Sequence, residues 1–231
     1  MKYLVTGGAG FIGSHLIERL LSEHHSICCL DNFNNYYSPT IKWRNIENIL
    51  QHSNFNLIEG DILDEELLGN IFQNHPFDGI IHLAARAGVR PSVLQPKLYE
   101  EVNVRGTMNL LEMAKQFQIK KFVMASSSSV YGNNSKVPFS ETDPVDNPIS
   151  PYAATKKAAE LIGYTYSTLD KIAVTCLNQS GIRSGAIWAG KGREGNQRRE
   201  RSGMGHLEDR SIIVCATDVG GAVESAVATP D

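Results

Sequence analysis

The sequence predicts a doubly wound α/β domain, in which helices cover both faces of a parallel sheet. Short runs of aliphatic and β-branched residues, apolar throughout, alternate with longer amphipathic stretches, and a glycine-rich turn directly follows the first run. Strands that are apolar throughout and separated by helices are typical of parallel sheets buried on both faces. The composition, 42% hydrophobic and 20% charged over 231 residues, is that of an ordinary globular protein.

The predicted elements follow one another along the chain. Six runs have strand character, at 2–6, 27–31, 55–59, 79–83, 121–125 and 172–177. Four stretches between them have helical character, at 11–23, 64–74, 99–118 and 151–169. Asp64 is placed to cap the second helix. Ser150 is a favoured N-cap for the last helix, and Pro151 suits its first position.

The turn after the first strand has the residues of a phosphate-binding turn. Gly8, Gly10 and Gly13 fit the G-x-G-x-x-G pattern, and the pattern lies between a predicted strand and a predicted helix, as it must to be informative. Glycines there permit a tight turn and a close approach of the backbone to a pyrophosphate, while the helix N-terminus supplies N–H groups. A flexible turn without a ligand is the alternative.

Asp31 ends the second predicted strand, eighteen residues after Gly13. A carboxylate at this position can accept hydrogen bonds from both hydroxyls of an adenosine ribose and would repel a 2′-phosphate, so NAD is favoured over NADP. The alternative is a carboxylate that only caps a loop. Asp61, after the third strand, could lie beside the adenine.

Tyr152 and Lys156 are four residues apart in the last predicted helix and therefore share a face. A free tyrosine titrates near about 10, so it needs a fixed cation beside it to act as a base at neutral pH. Lys156 can be that cation, although such pairs also arise by chance on exposed helices. Of the serines at 126–129, alternation at a strand end leaves Ser127 and Ser129 as the candidates to face the tyrosine.

The net charge, the apolar runs and the cysteines indicate which classes of protein this chain does not resemble. A net charge of −3 gives no indication of nucleic-acid binding. The sequence contains no run of eighteen apolar residues, so no membrane span is predicted. The chain is expected to be cytoplasmic, with buried, reduced cysteines and no metal site. His82, within an apolar strand, is interpreted as a satisfied core histidine rather than a catalyst.

Five motifs together resemble those of the extended short-chain dehydrogenases/reductases, in the NAD-dependent nucleotide-sugar epimerase/dehydratase family. They are Gly7-x-x-Gly10-x-x-Gly13, Leu83-Ala84-Ala85, Asn103-Val104-Arg105-Gly106-Thr107, Ser126-Ser127-Ser128-Ser129-Val130-Tyr131-Gly132 and Tyr152-x-x-x-Lys156. The stretches 31–37 and 87–92 are similar to those of UDP-glucuronate 4-epimerases in particular. The resemblance covers 1–177 and implies a Rossmann-like, NAD-binding domain that includes the Tyr/Lys helix.

The resemblance implies 4-epimerisation of a UDP-sugar, with UDP-glucuronate favoured. Tyr152 would take the proton from the sugar 4-hydroxyl as a hydride leaves C4 for the nicotinamide, and the 4-keto sugar would turn over and receive the hydride on its other face. Lys156 would hold the nicotinamide ribose and lower the pKa of Tyr152, and Ser127 would hydrogen-bond the same sugar oxygen.

The resemblance also implies the binding positions. Those for NAD are Gly7, Gly10, Phe11, Ile12, Gly13, Asp31, Asn32, Asp61, Ile62, Leu83, Ala84, Ala85, Arg86, Asn103, Tyr152 and Lys156. Those for the sugar nucleotide are Arg90, Ser127, Ser128 and Tyr152. Arg90 could neutralise a phosphate or the uronate carboxylate, or it could be a solvated loop arginine. Relatives commonly form homodimers through helices that correspond to 99–118 and 151–169.

Three alternatives to an active epimerase remain. A 4,6-dehydratase of this family would have a Thr-Asp-Glu triplet where this chain has Ser127-Ser128-Ser129, which offers no acid to eliminate water. A simple alcohol dehydrogenase with the same Tyr and Lys would exchange its cofactor and accept smaller substrates. A catalytically inactive NAD-binding fragment would keep the cofactor site without a sugar pocket.

The resemblance stops after Leu177. Residues 178–231 are predicted to be irregular, with a run rich in Gly, Arg and Glu at 190–203 that cannot build a core. A strand at 211–215 and a helix at 219–228 are the exceptions, faintly similar to a later family segment. The codons for 181–185 can encode Val-Tyr-Gly-Pro-Gly, the family's expected sequence, when read one base later. One hypothesis is therefore a frameshifted remnant of the substrate domain, and a naturally divergent tail is the other.

Overall fold

A computed structural model describes residues 1–136, 138–140 and 142–178, together with the backbone of 213–216. The strands are β1 Lys2–Thr6, β2 Ser26–Asp31, β3 Phe55–Glu59, β4 Gly79–His82, β5 Lys121–Ala125, β6 Ala173–Asn178 and β7 Ile213–Ala216. The α-helices are α1 Phe11–Ser22, α2 Pro39–Ile46, α3 Glu65–Asn74, α4 Val89–Leu94, α5 Pro96–Glu100, α6 Gly106–Gln116 and α7 Pro151–Asp170. Short 3-10 helices cover Glu47–Ile49 and Ser128–Tyr131, and a π-helical segment covers Glu101–Arg105.

All seven described strands form one sheet, in the order β3-β2-β1-β4-β5-β6-β7. Strands β1 to β6 pair in parallel, and β7 pairs antiparallel with β6. The strand order reverses direction between β1 and β4, and in open α/β sheets ligands bind at the carboxyl ends of the strands beside such a switch point. The predicted doubly wound fold is confirmed.

Two apolar clusters flank the sheet. One lies between the sheet and α1 and contains Val5, Ile17, Leu21, Ile27 and Cys29. The other lies on the opposite face under α3, α6 and α7 and includes Leu68, Ile71, Leu110, Leu111, Phe122 and Ala159. Full burial of an aliphatic side chain contributes roughly 1.5–3 kcal/mol, so these clusters account for much of the stability. Burial also raises the pKa of Cys28 to about 11, which keeps this thiol protonated.

Helix caps agree with the sequence signals. The Asp64 carboxylate accepts a hydrogen bond from the Leu67 backbone nitrogen at 2.9 Å and so caps α3. The Ser150 hydroxyl accepts one from the Ala153 nitrogen at 3.1 Å at the start of α7. These two N-cap predictions are confirmed.

The helix predicted over 99–118 is present, but it is not a regular α-helix throughout. Helices α5 and α6 are joined by the π-helical segment Glu101–Arg105. Asn103 in this segment is buried and bonds the backbone of Arg86, outside the helix. Single π-helical turns within α-helices are often found where one side chain must make a specific contact, and helix propensity does not predict them.

Helices α2 and α4 are not indicated by the sequence pattern. Ser38 and Pro39 are N-cap and first-turn residues for α2, a signal that could have located it. Helix α4 follows Gly88, whose φ is +95°, and has six residues, too few for an apolar periodicity to be recognised.

The segment predicted to be irregular lies outside the described residues, apart from Asn178 and 213–216. Strand β7, Ile213–Ala216, overlaps the strand predicted at 211–215. The helix predicted at 219–228 falls outside the described part. Within that part, no helix has the length and apolar character to cross a membrane.

Candidate active site

The turn after β1 lies against the end of β4. Gly7 has φ of +69°, and a Cβ there would lie 2.6 Å from the backbone nitrogen of Ala84. A Cβ on Gly13, in the first turn of α1, would lie 2.5 Å from the carbonyl oxygen of Gly7. Only glycine fits at both positions without displacing backbone. The turn and the start of α1 therefore form a shallow backbone cradle.

Helix α1 begins in this cradle, and Gly10 caps it without a side-chain hydrogen bond. The N–H groups of a first helical turn have no acceptor within the helix, and the helix dipole adds positive potential. Phe11 and Ile12 lie beside them and are 54% and 40% exposed. This end of α1 can therefore bind an anion such as a pyrophosphate.

Asp31 is buried at the carboxyl end of β2. Its Oδ2 accepts a hydrogen bond from the Ala9 nitrogen at 3.2 Å. Its Oδ1 accepts from the Phe33 nitrogen at 2.9 Å and from Lys42 Nζ at 3.2 Å. A carboxylate has about four lone-pair sites, so these contacts leave capacity for a ribose hydroxyl. Lys42, on α2, is a partner that the sequence does not indicate.

Asn32 and Asp61 lie together beside Asp31. The Asn32 amide donates to Asp61 Oδ2 at 2.7 Å, and Asp61 Oδ1 accepts from the Leu63 nitrogen at 2.9 Å. Ile62, in contrast, packs its side chain into the core against Gly106. The structure thus brings the two polar side chains predicted for the adenosine end close to each other.

Asn103 holds the loop after β4 through its carboxamide. Its Oδ1 accepts from the Arg86 nitrogen at 2.7 Å, and its Nδ2 donates to the Arg86 carbonyl at 3.0 Å and to Thr155 Oγ1 at 3.1 Å. The Thr155 hydroxyl in turn donates to the Tyr152 carbonyl at 2.8 Å. Asn103, predicted to bind cofactor, is therefore occupied by protein partners and connects this loop with α7.

Two tyrosines hold the same loop one residue further on. The hydroxyls of Tyr36 and Tyr99 donate to the Ala87 carbonyl at 2.7 and 2.5 Å. The Tyr99 ring packs edge-on against Tyr152, with ring centroids 6.2 Å apart. Burial raises the pKa of Tyr99 to about 12. Tyr99 therefore acts as a neutral donor that ties the loop to the candidate base.

His82 is fully buried in a hydrogen-bonded chain beneath the site. The Thr107 hydroxyl donates to the Asn103 carbonyl at 2.6 Å, so its oxygen accepts from His82 Nε2 at 3.0 Å. His82 Nδ1 is then the acceptor for the Thr6 hydroxyl at 2.7 Å. Burial lowers the pKa of His82 to about 3, and Lys156 adds to that effect. The interpretation as a satisfied, neutral core histidine is confirmed.

Tyr152 lies in the first turn of α7 near the end of β5. Burial raises the pKa of its phenol, and a hydrogen bond with the Ser127 side chain opposes that effect. The Ser127 oxygen also accepts from the Ser129 nitrogen at 3.2 Å and donates to Ser129 Oγ at 3.1 Å. Of the four consecutive serines, Ser127 is thus the one that contacts the phenol, whereas the Ser126 hydroxyl donates to Glu160.

Lys156 is buried one turn after Tyr152. Its amine donates to the Ala125 carbonyl at 3.0 Å. Burial lowers its pKa to about 8, while the charges of Cys176 and Glu160 act in the opposite direction. The predicted effect of Lys156 on the tyrosine pKa stays a prediction, because burial and Ser127 are the leading influences on Tyr152 in this structure.

Ser92 contacts the backbone of the candidate base, and the sequence analysis does not single it out. Its hydroxyl accepts a hydrogen bond from the Tyr152 backbone nitrogen at 3.0 Å and donates to the Val89 carbonyl at 2.6 Å. Arg90, predicted to bind substrate, lies exposed on the same short helix, α4. A serine two residues after a candidate anion-binding arginine is the only sequence signal, and it is weak.

The edge of the sheet at the carboxyl ends of its strands therefore carries two kinds of chemistry. The glycine cradle and Asp31 suit the pyrophosphate and ribose of a dinucleotide. Tyr152, Ser127 and Lys156 suit proton transfer to or from a hydroxyl next to that dinucleotide.

The family described as GDP-mannose 4,6 dehydratase matches residues 4–189 of the chain. Among curated proteins, the chain is 47% identical over 167 residues to a UDP-glucuronate 4-epimerase of Thermodesulfobacterium geofontis, which covers 72% of this chain and 51% of that protein. The chain thus spans about half the length of this curated relative.

Solved structures of similar fold include both epimerases and dehydratases. A UDP-glucuronic acid 4-epimerase from Bacillus cereus, in complex with UDP-glucuronic acid and NAD, is 37% identical with a TM-score of 0.68, and the match covers 76% of this chain and 55% of that one. The dTDP-glucose 4,6-dehydratase DesIV from Streptomyces venezuelae, with NAD and TYD bound, is 32% identical with a TM-score of 0.68, over 75% and 54% of the two chains.

Proposed function

Since this chain belongs to the GDP-mannose 4,6 dehydratase family, we propose that it forms the cofactor-binding and catalytic part of an NAD-dependent UDP-sugar 4-epimerase, with UDP-glucuronate as the favoured substrate. The observation that carries the proposal is the Tyr152 phenol, in contact with Ser127 and one turn from the buried Lys156, at the same edge of the sheet as the glycine cradle. The similarity to a UDP-glucuronate 4-epimerase over 72% of the chain supports the choice of reaction.

The cradle would hold the pyrophosphate of NAD at the start of α1, and Asp31 would accept a hydrogen bond from the adenosine ribose. Bound NAD supplies a site that accepts a hydride from the sugar and returns it. Lys42 lies beside Asp31, so the carboxylate is both charge-balanced and fixed in direction. The residues present therefore fit a dinucleotide, and NAD-bound structures of similar fold support the same choice.

Tyr152 would remove the proton from the sugar 4-hydroxyl. A positioned general base contributes typically about 10²–10⁴ in rate, but burial raises the pKa of this phenol, so it needs stabilisation as a phenolate. The Ser127 hydroxyl would turn its proton from Ser129 to the phenolate oxygen, and the Lys156 ammonium would supply positive charge. The same phenol would return the proton after the 4-keto sugar has turned over.

Arg90 and Ser128 would contact the sugar nucleotide. Arg90 is exposed on α4, and Ser92 on that helix bonds the backbone of Tyr152. A guanidinium on this helix can pair with a phosphate or with the uronate carboxylate. This arrangement supports an acidic sugar nucleotide as substrate.

A second copy of this chain is the partner we propose. Exposed large apolar side chains lie on α6 and α7, namely Met108, Leu161, Tyr164 and Leu169. Helices with such faces commonly pack against one another in dimers. Sedimentation of the purified chain should give a dimer mass, and substitution of Leu161 and Leu169 by Glu should give a monomer; a monomeric parent chain would contradict the proposal.

Two alternative functions, a 4,6-dehydratase and an inactive NAD-binding fragment, predict different outcomes. A 4,6-dehydratase needs an acid to eliminate water, and Ser127, Ser128 and Ser129 occupy the positions where the sequence resemblance would place Thr-Asp-Glu. An inactive NAD-binding fragment is consistent with a chain that spans 51% of its curated relative. The epimerase is favoured because its base requires only groups that this structure brings together.

Incubation of the purified chain and NAD with UDP-glucuronate tests the proposal. Formation of UDP-galacturonate, resolved by chromatography and proton NMR, is the expected result. Tyr152→Phe should bind NAD as the parent does and form no product. NAD binding without turnover would identify an inactive fragment, and a 4-keto-6-deoxy product from a UDP- or dTDP-hexose would identify a dehydratase; either outcome overturns the epimerase proposal.

A further inference from the structure

Helix α7 presents three functional groups one turn apart on a single face. Tyr152 and Lys156 belong to the proposed mechanism, and Glu160 follows Lys156 by four residues. The side chain of Glu160 is 15% exposed, so it is a largely buried carboxylate. Its Oε1 accepts a short hydrogen bond from the Ser126 hydroxyl, and its Oε2 lies 3.6 Å from Lys157 Nζ.

The same face of α7 engages three consecutive residues at the end of β5. Lys156 donates to the Ala125 carbonyl at 3.0 Å. Glu160 accepts from the next residue, Ser126, whose nitrogen is fixed by the Leu177 carbonyl at 2.7 Å. The residue after that, Ser127, contacts Tyr152. The position of the Ser127 hydroxyl relative to the phenol therefore depends on how Ser126 is held.

Glu160 also influences the charge of Lys156. The titratable groups that interact with the Lys156 amine are Cys176 on β6, Glu160 on α7 and His82 on β4. Burial lowers the pKa of Lys156 to about 8, and the charges of Cys176 and Glu160 act against that fall. His82 is neutral at physiological pH because its pKa is about 3.

We propose that Glu160 is a positioning residue for the catalytic face of α7: it fixes the end of β5 through Ser126 and keeps the buried Lys156 ammonium charged. The carboxylate touches neither cofactor nor substrate in this proposal. Its effect on Lys156 is independent of turnover, whereas its effect on rate rests on the proposed epimerase function.

Titration of Lys156 tests the charge effect directly. Lysine side chains labelled with ¹³C at Cε are followed by NMR against pH in the full chain, and Lys156→Met identifies the signal. Glu160→Gln keeps an oxygen that can accept from Ser126 but removes the charge, and it should lower the Lys156 midpoint by about one pH unit. Ser126→Ala keeps the charge and should move the midpoint much less.

A matched control is Glu112→Gln. Glu112 on α6 also accepts a short hydrogen bond from a hydroxyl, that of Tyr166, but it is not among the groups that act on Lys156. The Lys156 midpoint should be the same in Glu112→Gln as in the parent chain. An unchanged midpoint in Glu160→Gln, or an equal shift in Glu112→Gln, would overturn the assignment.

The effect on rate is measured separately. With UDP-glucuronate and NAD, the alkaline limb of the kcat profile of Glu160→Gln should move to lower pH by the same amount as the NMR midpoint, with KM nearly unchanged. A pH-independent loss of rate together with an unshifted midpoint would mean that Glu160 has a structural role only. If the parent chain does not turn over, the epimerase proposal fails, and the NMR titration still decides the role of Glu160.

Discussion

The hydroxyl oxygen of Ser92 lies 3.0 Å from the backbone nitrogen of Tyr152 and accepts its hydrogen bond. Tyr152 is in the first turn of α7, where backbone N–H groups have no acceptor within the helix. Ser92 is fully buried and comes from α4, which also carries Arg90. One hydroxyl therefore connects the start of the helix that carries the candidate base with the short helix that carries the candidate substrate-binding arginine.

Ser92→Ala should lower stability and rate together. Loss of an acceptor for a buried N–H costs about 1–3 kcal/mol of unfolding free energy, measurable by urea denaturation. Ser150→Ala is the control, because it removes the hydroxyl that bonds Ala153 in the same turn and leaves α4 in place. Both variants should lose similar stability, but Ser92→Ala should lose more turnover with UDP-glucuronate. Equal turnover in the two variants would show that Ser92 has no positioning role.

Gly7→Ala should weaken both folding and NAD binding. The residue has a positive φ, and an added Cβ would lie 2.6 Å from the Ala84 backbone. We expect a loss of at least about 1–3 kcal/mol, from strained backbone and a displaced loop. Gly69→Ala is the matched control, because Gly69 lies in α3 with nothing within 4 Å of an added Cβ. That variant should gain roughly 0.5–1 kcal/mol and bind NAD normally in a calorimetric titration.

His82 should make the chain acid-sensitive. Its pKa is about 3 in the folded chain and ordinarily 6.5, so between these values the unfolded chain binds the extra proton. Stability should therefore fall as the pH drops below 6.5, by about 2 kcal/mol at pH 5 from this residue alone. His82→Gln removes that contribution, and its unfolding free energy should fall by correspondingly less over the same interval. Parallel curves for the two chains would contradict the burial of a neutral imidazole.

Lys156→Met should stabilise the chain while it abolishes catalysis. The folded-state pKa of Lys156, about 8, is below its ordinary 10.5, so folding is penalised wherever the amine is charged. The penalty is complete below pH 8 and disappears as the pH rises toward 10.5. We expect a gain on the order of 2 kcal/mol at pH 7, found by urea denaturation, which shrinks at alkaline pH. Lys115→Met, at an exposed lysine on α6, should change stability by less than about 0.5 kcal/mol.

Much of the candidate site follows from local sequence. Gly7 directly follows β1, Gly13 lies in the first turn of α1 and Asp31 ends β2. Strand ends in a parallel sheet meet at one edge, so the proximity of these residues follows from the order of elements. Tyr152 and Lys156 share a face because of helical spacing alone. Strand alternation reduces the serine run to Ser127 and Ser129, and the structure selects Ser127 through its hydrogen bond with Tyr152.

The partners of these residues do not follow from local sequence. Lys42 reaches Asp31 from α2, a helix that the pattern does not reveal, and Asn103 bonds Arg86 from a π-helical segment within the stretch predicted to be helical. Both contacts depend on how a helical segment packs against the end of a neighbouring strand, which propensity and periodicity do not encode.

The sequence by itself therefore determined the class of fold, the glycine turn and the pairing of Tyr152 with Lys156, since these depend on periodicity and on residues a few positions apart. Only the tertiary structure decided which groups hold that pair in place. Ser92 is 60 residues from Tyr152, and Ser126 is 34 residues from Glu160, so their contacts exist only after the sheet has assembled. The physical reason is that a buried polar group needs a hydrogen-bond partner. In a doubly wound sheet, the order of strands and helices decides which element lies beside that group and supplies the partner.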